Sequence, residues 1–240
     1  MKKPVKIIFW VLAVLAGLIL IAALIFYFNF RRATKAMTPS ETGAINDSVW
    51  CIRDKFLNAY IFKGEDGYLI IDAGMNAKRF RKAMEKTGIR PEQISALFLT
   101  HTDGDHTGAT GLFSKATIYL HKDEEQMING TTGKTKYSKT KWKYGPYILL
   151  NSNDTLSIDG LKIKIVHTPG HTPGSACYII GNDYLATGDN LVVTNGEYKH
   201  FIEMFNMNTP EQIESLKSIP DPVSFKYILT GHHGVVRIIE

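Results

Sequence analysis

With 240 residues, 44% of them hydrophobic and 21% charged, the chain suits one globular domain plus an appendage better than two full domains. Its formal charge of +5 does not argue for a nucleic-acid partner. Residues 1–40 carry Lys2, Lys3, Lys6, Arg31, Arg32 and Lys35 and no acid, which leaves 22 of the 28 basic residues against all 23 acidic ones. Only Cys51 and Cys177 are present, so a disulfide framework and a zinc-thiolate pattern are excluded, and the expectation is two buried thiols.

From Ile7 to Phe28 the chain is uncharged. As a helix at about 1.5 Å per residue, this run spans about 33 Å, enough for a hydrocarbon core. Lysines flank one end and Arg31, Arg32 and Lys35 the other, with Trp10 and Tyr27 near the ends. A cleaved leader would have a shorter apolar region of about 7–15 residues. The expectation is therefore a single-pass anchor over 1–32, inserted through residues 7–28. The cation balance, counting the α-amino group, leans to an inside N-terminus and a catalytic domain outside the cytoplasm. Residues 33–47 are small and polar and predict a linker.

The domain is expected over 48–240. Strand-like runs fall at 49–53, 57–62, 67–74, 95–100 and 116–121, with helical spacing over 76–87. Two hairpins follow: 154–160 with 161–167, turning at Asp159-Gly160, and 175–180 with 183–187. A helix is predicted over 209–218, capped by Asn208 or Thr209 with Pro210 in its first turn. Strands at 227–234 and 235–239 close the chain. Strands alternating with helices predict an α/β (α+β) arrangement of sheets covered by helices.

The chemistry sits at strand ends. His101, Asp103, Asp105 and His106 follow one strand directly; His171 follows a second, Asp189 a third and His232 a fourth. Imidazole and carboxylate are the side chains that hold zinc, iron or manganese. Two His and two Asp within six residues, joined by three further Gly-rich loops of the same kind, predict one shared metal-binding rim rather than a solvated polar loop.

These motifs resemble the metallo-β-lactamase superfamily. Its signature is H-x-H-x-D-H after a strand, a His in a G-H-T-P-G-S turn, an Asp in a G-D turn and a late His. Here they read HTDGDH (101–106), GHTPGS (170–175), GD (188–189) and TGH (230–232), and IDAG (71–74) matches an early Asp motif at Asp72. The resemblance implies a four-layer αββα sandwich with two divalent metal ions, zinc above all, at one edge. It implies a first site of His101, residue 103 and His171, a second of Asp105, His106 and His232, and Asp189 bridging. Asp72 and His233 are expected behind the ligands rather than on the metal.

Residue 103 departs from the pattern, being Asp where the family has His. A carboxylate is a harder oxygen ligand, which keeps iron and manganese open, and the flavodiiron branch, which binds iron, has a Glu at that place. Alternatively, the first site is weak and one metal is held tightly. Two cations about 3.5–4 Å apart lower the pKa of a shared water to about 7. The resemblance thus implies a hydrolase of a small-molecule ester, thioester, lactone, lactam or phosphodiester, with Asp105 as the catalytic proton carrier. The rival readings are a non-haem diiron redox protein and a non-catalytic metal-binding or sensing protein. Lys199 and His200, in the loop before the last helix, are candidate substrate contacts. Residues 130–147 interleave five lysines with Tyr137, Trp142, Tyr144 and Tyr147. That loop reads either as a solvated hairpin or as a flap that meets lipid headgroups or an anionic substrate. Oligomeric state is not legible.

Overall fold

The computed structural model describes residues 3–134, 142–194 and 196–238. They form two compact units, Met1–Met37 and Thr38–Glu240. The first is a helix, α1 (Lys3–Lys35). Over Lys6–Lys35 it has a mean hydropathy of 3.0 in its most apolar window, and it is long and apolar enough to cross a membrane. Its apolar side chains from Ile7 to Phe30 are exposed around the whole circumference, so the helix has no single buried stripe of the kind a surface helix of a globular domain shows.

In the second unit a seven-stranded sheet runs in chain order: β1 (Gly43–Asn46), β2 (Val49–Asp54), β3 (Leu57–Lys63), β4 (Tyr68–Ile71), β5 (Ile94–Phe98), β6 (Thr117–His121) and β7 (Tyr147–Leu150). Neighbours from β1 to β4 are antiparallel, and those from β4 to β7 are parallel. The second sheet contains β8 (Thr155–Ile158), β9 (Leu161–His167), β10 (Ala176–Ile180), β11 (Tyr184–Gly188), β14 (Tyr227–Thr230) and β15 (Val235–Arg237), in the order β15-β14-β11-β10-β9-β8. A separate hairpin, β12 (Leu191–Thr194) with β13 (Glu197–His200), follows β11.

Strand side chains alternate in direction, and the alternation builds the layers. Cys51, Tyr60, Phe62, Leu69, Ile71 and Phe98 meet Ile163, Ile165, Tyr178, Ile180 and Leu229 between the sheets. Ile52, Ile61, Ile70, Leu97 and Leu99 point the other way, onto Phe80 and Met84 of α2 (Ala77–Glu85). On the far side of the second sheet, Val166, Cys177, Leu185 and Ile228 pack with Ile219 and Phe225, and a third helix, α3 (Thr209–Ser215), has Gln212 buried. This is the expected αββα sandwich. Each fully buried Leu, Ile or Phe contributes about 1.5–3 kcal/mol relative to exposure, so the apolar faces fix which strand edge carries the polar loops.

Asn76 caps α2. Asn208 caps α3, with Pro210 just inside. The Asp159-Gly160 turn has positive φ at both residues, as the short hairpin requires. Both cysteines are buried and free. The stretch 33–47 is more ordered than a linker. α1 continues to Lys35, Thr38 N donates to His232 O at 2.9 Å, Ser40 exchanges two hydrogen bonds with Asn58, and Gly43–Asn46 is an edge strand. The cause is a hairpin with β2 together with long-range bonds to Asn58 and His232, which a short run of small polar residues does not advertise.

Candidate metal centre

Five strand ends open onto one edge. Asp72 follows β4, the 101–106 loop follows β5, the turn holding His171 follows β9, Asp189 follows β11, and His232 follows β14. Backbone bonds stitch these loops across the sheets. Ala176 N donates to Thr100 O, Gly231 N to Gly188 O and Asn58 N to Gly231 O. Gly188 has φ +52, and a Cβ there would collide with the Thr100 side chain, so only glycine lets Asp189 turn in at this point.

All seven candidate ligands from the sequence come together. In one half, His171 Nε2 lies 3.1 Å from both His101 Nε2 and Asp103 Oδ2, and His101 Nε2 lies 3.5 Å from Asp103 Oδ2. In the other, His232 Nε2 is 3.4 Å from Asp105 Oδ2 and 3.2 Å from Asp189 Oδ2, and His106 Nε2 is 3.3 Å from Asp189 Oδ1. Asp189 lies between the halves, with Oδ2 also 3.5 Å from His171 Nε2. Tetrahedral bonds of about 2.0–2.1 Å place donor atoms about 3.3 Å apart, so both halves have the spacing of a metal's ligands. His106 Nε2 and Asp189 Oδ1 are buried and have no hydrogen-bond partner among the described residues. Buried polar atoms are rarely left so, and a cation between them would satisfy both. The residues present therefore fit a divalent metal.

Each imidazole turns Nε2 inward because Nδ1 is engaged behind it. His106 Nδ1 meets Asp72 Oδ2 at 2.8 Å, His232 Nδ1 donates to Phe56 O at 2.8 Å, and His171 Nδ1 meets Asn206 Oδ1 at 3.1 Å. His101 Nδ1 is 3.1 Å from Thr100 Oγ1. Such outer partners set tautomer and ring orientation. Asp72 holds a left-handed φ of 61°, costly for a non-glycine residue. In that pose it accepts from Thr100 N and Thr100 Oγ1 as well as facing His106.

The electrostatics pair acids with imidazoles. Burial, then His106 and His171, push His101 down to about 4. Burial pulls on His232 too, but Asp189 and Asp105 hold it up at about 10. His106, between Asp189 and Asp72, stands well above the usual imidazole range despite its burial. Asp189 is itself held well below the carboxylate range by His232 and His106, against the effect of burial. A metal ion would take the place of the protons that these pairs share.

Two important side chains were not expected. Glu124, completely buried, accepts from Thr102 N, Thr102 Oγ1, Thr172 Oγ1 and Gly174 N at 2.7–3.0 Å. It thereby locks the 101–106 loop to the turn holding His171. Burial pushes its carboxyl upward, against the pull of the two threonines. The second is Lys134, whose Nζ lies 2.8 Å from Asp103 Oδ2, 3.0 Å from His171 Nε2 and 2.7 Å from Phe205 O. The buried ring of Phe201 covers His171 and His232, with centroids 5.4 and 5.3 Å away.

Lys199 and His200 lie on the β13 strand, just before Phe201. Exposed Lys199 pairs with Glu197 at 2.5 Å, and His200 Nδ1 meets Phe201 O at 2.7 Å. Neither has a described hydrogen bond or ion pair with the cluster. His233 likewise bonds through its backbone N to Thr230 Oγ1, not to a ligand. His167 donates from Nε2 to Pro173 O and stacks on His121 at 3.8 Å. Of the lysine-rich loop, Lys136, Tyr137, Lys139 and Lys141 lie outside the described residues. Trp142, Tyr144 and Tyr147 pack against the core beside α2.

Residues 52–232 match the family model described as the metallo-beta-lactamase superfamily. The chain is 27% identical over 155 residues to "Probable metallo-hydrolase MJ0296" of Methanocaldococcus jannaschii, covering 65% of this chain and 64% of that one. It is 29% identical over 143 residues to "Probable metallo-hydrolase YqgX" of Bacillus subtilis, covering 56% and 65%. It thus spans just under two thirds of these relatives' own length. Among solved structures, a metallo-β-lactamase with a HARLDQ motif from Cronobacter sakazakii superposes with a TM-score of 0.63 at 19% identity, covering 83% of this chain and 81% of that one; this likeness is one of fold. With the sandwich, the strand-end cluster and the family match in agreement, the chain belongs to the metallo-β-lactamase superfamily.

Proposed function

We propose that this protein is a metal-dependent hydrolase of a small-molecule ester, thioester, lactone, lactam or phosphodiester. The observation that carries the reading is the convergence of four inward Nε2 atoms and three carboxylates at ligand spacing, with His106 Nε2 and Asp189 Oδ1 buried without a well-formed hydrogen bond. Asp105, His106, His232 and Asp189 would hold a divalent cation. Nitrogen and carboxylate donors in this proportion suit zinc first, with iron and manganese admitted by the carboxylates. When bound, such a cation lowers the pKa of a water to about 7 and polarises the bond to be cleaved.

The chain's own residues divide the remaining work. Asp105 is the carboxylate of the second half that reaches solvent, its side chain 22% exposed against 4% for Asp189. It is placed to take a proton and deliver it to a leaving group. Phe201 covers the rings of His171 and His232 and keeps bulk water from them. Asp72, Phe56 O and Asn206 fix the imidazoles, so little reorganisation is needed. Among the described residues, the four carboxylates Asp72, Asp103, Asp105 and Asp189 outnumber the one lysine ammonium at the cluster, that of Lys134, which favours cation uptake. α1 would anchor the domain to a membrane, and the flanking cations favour the side away from the cytoplasm.

The test is hydrolysis by the detergent-solubilised, zinc-supplemented full chain of a panel of esters, thioesters, lactones, β-lactams and phosphodiesters. Turnover of at least one class, abolished by Asp105→Ala and by His232→Ala, is expected. A zinc-loaded protein inert on every class would favour the binding or sensing reading.

A further inference from the structure

The two halves of the cluster differ in what lies inside them. Lys134 Nζ sits among His171 Nε2, Asp103 Oδ2 and Phe205 O at 3.0, 2.8 and 2.7 Å. Those are three acceptors at hydrogen-bonding distance for the three protons of an ammonium. Two of them, Asp103 Oδ2 and His171 Nε2, are also the atoms a metal in that half would need. A divalent ion and an ammonium cannot share that space. In the other half, no lysine or arginine is among the described partners of Asp105, His106, His232 or Asp189, and His106 Nε2 and Asp189 Oδ1 face each other at 3.3 Å without a well-formed hydrogen bond.

The chemistry of position 103 agrees with this division. A carboxylate gives an ammonium a charged, short hydrogen bond, which a neutral imidazole at the same place would not. Asp103 and Lys134 are far apart in sequence, yet each supplies what the other lacks. The pair is only partly buried, at 21% and 24% side-chain exposure, so it forms without the full penalty of a dry ion pair.

We propose that Lys134 is the resident cation of the half-site formed by His101, Asp103 and His171, and that the protein carries a single divalent ion, in the half-site of Asp105, His106, His232 and Asp189. This rests on the metal reading above and adds the count and place of the ion. The ammonium supplies one positive charge where a second metal would supply two, so the pair of half-sites is asymmetric by construction.

The test is zinc content, by mass spectrometry of the element, in detergent-solubilised full chain equilibrated with excess zinc(II) and then desalted. Close to one zinc per chain is expected for the wild type and for Lys134→Arg. Asp103→Ala should also stay close to one, because its carboxylate is not needed by the retained ion. Lys134→Met, which removes the ammonium and leaves Asp103 free to bind metal, should rise toward two. Circular dichroism melting of each variant confirms that it is folded. Two zinc per chain in the wild type overturns the proposal. So does one zinc in both the wild type and a folded Lys134→Met, or loss of zinc in a folded Asp103→Ala. No zinc in any of these proteins overturns the metal reading itself, a different failure from the miscount.

Discussion

The half of the cluster around His101, Asp103 and His171 and the half around Asp105, His106 and His232 are built from the same side-chain types on neighbouring strand ends, but each is framed by a different buried carboxylate. Glu124 braces the first. Its oxygens take hydrogen bonds from Thr102, between His101 and Asp103, and from Thr172, beside His171. Asp72 braces the second, reaching His106 Nδ1 at 2.8 Å from a left-handed backbone. Both braces hold loop backbone and hydroxyls, Asp72 through Thr100 N and Oγ1, but of the two only Asp72 also bonds an imidazole directly. Loss of the first should therefore act on folding, and loss of the second on metal affinity.

The largest stability effect is expected at Glu124. Glu124→Ala leaves four buried donors without their acceptor and should cost about 2–3 kcal/mol, read as a lower denaturant midpoint at unchanged m-value. A fully stable Glu124→Ala protein would break the comparison, since the two loops would then be held by something else. Asp72→Asn keeps the side chain's size but weakens the bond that orients His106. It should reduce zinc affinity by about 10–100-fold, measured by competition with a chelator, with a smaller change in melting temperature than Glu124→Ala. An equal loss of stability and no loss of affinity would reverse the assigned roles.

The smallest effect belongs to neither half. His121, stacked on His167, is pushed by burial and then by that second imidazole down to about 4, from an ordinary 6.5. The folded state thus prefers the neutral ring. Its contribution is present above pH 6.5 and is lost as pH falls from 6.5 toward 4, because the unfolded chain binds the proton first. Denaturation midpoints across that window should fall with pH in the wild type and fall less steeply in His121→Gln. Identical slopes would remove His121 from the account.

Most of the sandwich was legible because strand alternation and turn chemistry are local. LKIKIVH after Asp159-Gly160 could hardly be other than the return arm of a hairpin, and Asn208-Thr209-Pro210 marked the start of α3. The edge strand Gly43–Asn46 and the β12–β13 hairpin were not legible. Each strand is only four residues long, β1 and β13 are largely polar, and each pairs with the strand next to it in the chain without a strong turn signal between them. The seven clustered His and Asp side chains stood out because each sits in a Gly-rich turn directly after an apolar strand. Glu124 and Lys134 carried no such signal. Glu124 stands in a charged stretch, KDEEQ, that reads as surface, and Lys134 is one lysine among five in 130–147. What distinguishes each is a contact across the fold: Glu124 to residues 102 and 172–174, Lys134 to residues 103, 171 and 205. Lys199 and His200, the candidate substrate contacts, have no described bond to the cluster. Phe201, one residue further on, turns its ring to the site instead.

Anomalous diffraction at the zinc edge, from crystals of the full chain grown with zinc, tests the account's centre most directly. The expected result is a peak bonded by His106 Nε2, His232 Nε2 and the carboxylates of Asp105 and Asp189. A zinc-bearing crystal with no peak between His106 and Asp189 would contradict it.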